Sequence, residues 1–246
     1  MKTWFTLIAL LLVAPLVRAG FDEGTDYKRL ANPQPTVNPD QIEVLELFWY
    51  GCPHCYHLEP QLSAWLENKP DDVAFVRMPA VLGADWELLA RAYYTMELLG
   101  VEEQVHRPLF EHIHKQRKRI RSVDDVKAVF VEQGVQEQDF DRTFESFAVI
   151  TKTSRARQAR SLYGITGVPV LVVNGKYLTS AQMAGGNKEM LQVVDFLVEQ
   201  ERALDETSLM LLDHRLGVAG RDDVPYLPVR YAWHDLEELR CRQTRD

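Results

Sequence analysis

Residues 46–60, ELFWYGCPHCYHLEP, place Cys52 and Cys55 three positions apart, where a hydrophobic run gives way to polar residues. The run that precedes them, QIEVLELFWY (41–50), is rich in β-branched and aromatic residues and is bounded by Gly51, which reads as a strand. Pro53 then falls at the first helical position, where its fixed φ suits the turn and its missing N–H is not needed. The pattern predicts strand, turn, helix, with Pro60 expected to kink the helix.

Two cysteines at i and i+3 around a helix start share one face, close enough to close a small disulfide ring. Cys52 sits at the positive end of the helix, where free backbone N–H groups and the macrodipole stabilise a thiolate. That makes it the expected nucleophile and the better leaving group. His54 can add a positive charge or a donor toward the same sulfur. Cys55, one turn in, is expected to be more buried and to act as the resolving thiol. Two other readings stay open on these residues alone. Half of a zinc site would have His54 and His57 nearby, but it lacks a second C-x-x-C or H-x3-5-H pair. An inert structural disulfide would stabilise little across so small a loop.

Outward from the motif, VAFVRMPAV (73–81) reads as a second strand, and from Asp85 the period becomes helical. DWELLARAYYTMELLG ends at Gly100, EEQVHRPLFEHIHK follows, and Ser122 with Asp125 forms a capping box before VKAVFVEQG. Helical pattern continues from Gln138 to Tyr163. GVPVLVVNGKYL (167–178) restores the strand pattern, with Asn174-Gly175 as a two-residue hairpin signal. The helix NKEMLQVVDFLVEQERAL closes the unit near Leu204. Pro169, just before a strand, lacks a ladder donor and points to a special geometry such as a cis bond.

Strand-C-P-H-C-helix, a helical insert, then G-V-P before a strand and an N-G hairpin resembles the DsbA family of periplasmic thiol oxidases. The likeness runs over roughly residues 22–204 and includes VLELF, CPHCY, GVP and VNGKY. It implies an α/β thioredoxin fold with an inserted helical domain. Residues 41–206 would form the domain, with thioredoxin parts about 41–81 and 160–206 and the insert about 82–159. The resemblance further implies that Cys52 exchanges with substrate sulfur while Cys55 resolves, and that Val168 and cis-Pro169 dock the substrate backbone. Pro53 and His54 would tune the couple, and Glu46 would be a buried acid assisting proton movement. It implies a disulfide oxidase acting as a monomer on newly exported, cysteine-containing proteins, reoxidised by a membrane quinone-linked partner. No cofactor and no metal are implied. A disulfide isomerase or reductase on the same fold is the alternative, with a zinc-stabilised binding protein behind it.

The flanks agree with export. MKTWFTLIALLLVAPLVRA (1–19) has one lysine, an apolar run too short to span a bilayer, and small residues where a signal peptidase cuts. Its removal would move the net charge from −8 to −10. Such an acidic balance argues against nucleic acid. The basic cluster HKQRKRIR (114–121) reads as a solvated helix end and turn, with no aromatics interleaved for base stacking. Residues 20–40, rich in Pro, Asp and Asn, are expected to be an extended arm. Residues 207–246, with the third cysteine Cys241, are an extension of unknown role, expected to pack loosely.

Overall fold

The structure is a computed structural model describing residues 20–216, with side chains to residue 207. The expected signal segment 1–19 and Cys241 lie outside the described residues.

Strand β1 is Lys28–Arg29, β2 is Ile42–Phe48, and helix α1 spans Pro53–Asn68 before β3 at Val73–Pro79. All seven residues of β2 are buried, as a strand with partners on both edges and cover on both faces requires. β2 and β3 run parallel, with α1 as the crossover, and their register sets Glu46 beside Arg77. After a 3-10 turn at Ala84–Trp86 come α2 (Glu87–Leu99), α3 (Glu102–His114), α4 (Val123–Glu132), α5 (Glu137–Phe144), α6 (Phe147–Ala156) and α7 (Ala159–Tyr163). The Ser122–Asp125 capping box forms in full at α4. Pro60 lies within α1 and does not end it.

The chain then returns to the sheet through β4 (Val170–Val173) and β5 (Tyr177–Thr179), followed by α8 (Ala181–Ala184) and α9 (Asn187–Leu216). The sheet order is β1-β5-β4-β2-β3, with β4 antiparallel to β2. One apolar layer packs α1 and α9 on the sheet through Leu58, Leu62, Val194 and Leu197, and Tyr163 of α7 joins another. The helical insert has its own core, Phe110, Phe130, Phe140 and Phe144, which is continuous with Phe48, Tyr50, Cys52 and Cys55. The C-x-x-C pair therefore sits on the seam between insert and sheet.

Three features differ from the sequence reading. The closing helix, expected to end near Leu204, continues to Leu216, because DETSLMLLDHRL has no Gly or Pro and the first breaker is Gly217. The first ten residues of the expected extension are thus continuous with α9. The arm is not only extended: β1 pairs antiparallel with β5, Lys28 opposite Leu178. The hairpin turn closes as expected through Lys176 N–H to Val173 O at 2.9 Å, but the ladder resumes with Val173 opposite Tyr177, one residue later than a two-residue loop gives.

Asn174 and Gly175 both have positive φ, 49° and 62°. Gly175 is also where the arm crosses, since Gln34 N–H donates to its carbonyl at 2.8 Å and a Cβ there would collide with the Gln34 carbonyl. Gly175→Ala should therefore cost about 1–3 kcal/mol in urea unfolding. Gly134→Ala, at φ 88° with open space around it, should cost less. Equal losses would show that the arm yields freely.

Candidate functional site

The turn Trp49–Gly51 carries the chain from β2 into α1. Trp49 stacks on Trp86 at 4.1 Å and 4°, and a side chain on Gly51 would collide with the Trp49 ring. Cys52 caps α1 with extended backbone (φ −87°, ψ 115°), its N–H donating to Trp49 O at 2.9 Å. Cys52 and Cys55 are both free thiols, 8% and 0% exposed. The loop that carries the cis peptide bond Val168–Pro169 lies against the pair, and Cys52 Sγ is 3.4 Å from Val168 O, to which its thiol donates when protonated.

The two sulfurs are electrostatically unlike. The Cys55 thiol hydrogen-bonds the Cys52 sulfur, and the N–H groups of Cys55 and His54 and the charge of His54 add to it. Together they outweigh burial and bring Cys52 down to about 6. Burial pushes the Cys55 thiol far up, helped by the Cys52 sulfur and by Glu46. Near neutral pH the pair carries one thiolate, on Cys52.

Glu46 lies on a central strand with its side chain fully buried. It belongs to a set of charges drawn from four segments. Arg77 reaches Glu46 at 3.0 Å, Glu102 at 3.2 Å and Glu59 at 3.7 Å. One guanidinium thus serves three carboxylates. Burial above all, then the charges of Glu59 and Glu102, push Glu46 up to about 8 against the pull of Arg77. Glu59 moves the other way: burial raises it, but His106, Arg77 and Arg107 together hold it below the ordinary range.

Two histidines of α3 grip the loop from the insert side. His106 Nδ1 lies 2.6 Å from the Tyr50 hydroxyl and its Nε2 lies 3.3 Å from Glu59. His114 Nε2 donates to Tyr50 O at 2.7 Å, and its ring stacks on Tyr56 at 5.0 Å.

Of the residues singled out in the sequence, Cys52, Pro53, His54 and Cys55 lie together at the start of α1, and Val168 and Pro169 face them. Pro53 and His54 are exposed, and His54 borders a groove of about 550 Å³ lined also by Thr166–Val170 and Met183. Arg77, Glu59, Tyr50, His106 and His114 were not anticipated. A charged residue inside VAFVRMP was the one visible hint, since an arginine there needs a buried partner.

Known proteins share this sequence and this fold. The family model DSBA-like thioredoxin domain fits residues 43–198. The thiol:disulfide interchange protein DsbA of Pseudomonas aeruginosa is 42% identical over 183 residues, covering 74% of this chain and 87% of that protein. The protein of the same name from Pseudomonas syringae pv. tomato is 43% identical over 182 residues, covering 74% and 85%. The crystal structure of Pseudomonas aeruginosa DsbA superposes with a TM-score of 0.73 at 41% identity, covering 76% of this chain and 97% of that one. DsbA from Xylella fastidiosa gives 0.68 at 35% identity, covering 73% and 97%. Shared sequence and shared fold thus run through the same segment that holds the unlike sulfurs, and the chain belongs to the DsbA family of thiol:disulfide oxidoreductases.

Proposed function

We propose that the chain works as a periplasmic oxidase, exported by its N-terminal segment, which passes its Cys52–Cys55 disulfide to cysteine pairs of newly exported proteins. The observation that carries this reading is the asymmetry of the sulfurs: a couple whose Cys52 thiolate is stabilised favours its own reduction. A substrate thiolate attacks Cys52 Sγ, the Cys52–Cys55 bond breaks, and Cys55 leaves and takes up a proton. Glu46, pushed up to about 8, is the acid that serves this proton exchange. The substrate's second thiolate then attacks its partner sulfur and expels Cys52 as a thiolate. Two substrate thiols have become a disulfide, and two electrons rest on the Cys52–Cys55 dithiol.

Pro53 sets the helix start that aims N–H groups at Cys52. Val168 and Pro169 dock the substrate backbone, a role supported by the Val168 carbonyl lying against the Cys52 sulfur. A membrane quinone-linked partner then withdraws the two electrons, and the protein acts as a monomer.

Equilibration with glutathione tests the reading. The couple should be far more oxidising than thioredoxin, and a potential near the latter's value of about −270 mV would overturn the oxidase assignment. In His54→Ala the potential should move negative by about 30 mV, a tenfold change in the equilibrium constant. An unchanged constant would show that His54 does not act on the Cys52 sulfur.

A further inference from the structure

Cations on the described surface mostly face a carboxylate, as Arg107 faces Glu111, Lys127 Asp141, Arg157 Glu87 and Arg202 Asp72. Between α3 and α4 that pattern fails. Arg117, Lys118, Arg119 and Arg121 are exposed, and none of them meets a carboxylate within ion-pair distance among the described residues. Lys115, at the start of the loop, reaches Glu111 at 3.8 Å. A concentrated run of unpaired positive charge is thus held on a chain whose net charge is −8.

The loop is anchored. Gln116 N–H donates to Glu111 O at 2.9 Å, Lys118 N–H to His112 O at 3.0 Å, and Arg121 N–H to Asp125 Oδ2 at 2.8 Å. Ile120 packs inward against the insert core. Its place matters as much as its charge. The residue before the loop is His114, which bonds the Tyr50 carbonyl and stacks on Tyr56. Tyr56 N–H in turn donates to the Cys52 carbonyl at 3.2 Å. The unpaired cations therefore begin at Arg117, three residues from a side chain that touches the reactive loop. An extended polypeptide advances about 3.3 Å per residue, which sets how far from the reacting cysteine a substrate carboxylate must lie to meet them.

We propose that loop 115–121 is a docking surface for acidic stretches of polypeptide substrates, drawing carboxylates that flank the reacting cysteine to Arg117, Lys118, Arg119 and Arg121. The inference rests on the reading that Cys52 exchanges with polypeptide thiols, and adds which sequences it favours. Charge complementarity of this kind raises association rates and is screened by salt. An anionic bilayer fits less well, because the loop turns its one apolar residue inward and offers no aromatic to seat at a lipid interface.

The test uses two reduced peptides, identical except that Asp or Asn flanks their cysteine pair, oxidised by the full-length disulfide form at low and high salt. The Asp-to-Asn rate ratio of the native protein should exceed that of the variant Arg117→Gln, Lys118→Gln, Arg119→Gln, Arg121→Gln by about tenfold at low salt. The excess should shrink as salt is added, a measurement on the native protein that needs no variant. The same ratio in both proteins, or a ratio indifferent to salt, overturns the inference. If the Asn peptide is not oxidised at all, the exchange reading at Cys52 fails and this inference with it. Sedimentation of the native protein, but not the variant, with phosphatidylglycerol vesicles, together with equal peptide ratios, would reassign the surface to the bilayer.

Discussion

Cys52→Ser should abolish thiol:disulfide exchange, whereas Cys55→Ser should leave a nucleophile that accumulates mixed disulfides it cannot resolve. The two cysteines are three residues apart, yet the fold places them in opposite electrostatic situations. Cys52 receives hydrogen bonds from the Cys55 thiol and from two backbone N–H groups, and Cys55 is sealed in the seam between insert and sheet. Alkylation of the reduced protein gives the most direct readout. Modification of Cys52 should titrate with a midpoint near pH 6, and Cys55 should stay inert until the protein unfolds. The reduced fold should also lose stability as pH falls from about 9 to about 6, because over that interval the unfolded chain takes up a proton on Cys52 that the folded form still excludes. Equal alkylation of both thiols at mildly acidic pH would remove the basis for assigning their roles.

Arg77→Ala should destabilise the protein by about 3–5 kcal/mol near neutral pH, the cost of leaving the buried Glu59 carboxylate, with Glu102 beside it, short of a cation while Glu46 holds its proton. The side chain is 12% exposed and faces Glu46, Glu59 and Glu102 at once. The loss should shrink in acid, where Glu59 and Glu102 take up protons and need no partner. Glu46→Gln should act in the opposite sense. Because Glu46 is raised to about 8, its folded form holds a proton that the unfolded chain releases above its ordinary value of 4.5, so native stability falls as pH climbs through that interval. The amide removes this penalty, and the variant should be more stable than the parent at pH 8 and indistinguishable from it below about 4. Urea titrations across pH separate the cases. A pH-independent loss in Arg77→Ala would mean that lost packing, not charge, is the cause.

What could be read along the chain was whatever local chemistry dictates. The apolar run before Gly51 made β2, Pro53 marked the start of α1, Ser122 and Asp125 marked α4, and Asn174-Gly175 marked the turn after β4. The charge cluster could not be read this way. Its members come from β2, α1, β3 and α3, and the neighbour that matters to Glu46 is Arg77, 31 positions away, fixed only by the parallel register. His106 and His114 look like ordinary polar positions of an amphipathic helix until α3 is packed against Tyr50. Strand β1 is two residues long, too short to show any period, and is a strand only because β5 offers it an edge.

That edge has a consequence for how the chain acquires its shape. Arg29 bonds the Tyr177 hydroxyl across 148 positions, and Val44 pairs with Val173 in the ladder. Between these contacts lie helices whose packing is mostly local. A polypeptide emerging N-terminus first can build the helical insert while most of its sheet still lacks partners. The sheet closes only once residues 170–179 have appeared, and the arm is fastened last. Contacts of such high sequence separation slow the final step and leave β2 with an open edge until it is complete. The insert would therefore be protected from hydrogen exchange earlier than the arm, and the same split would govern which end of the molecule frays first.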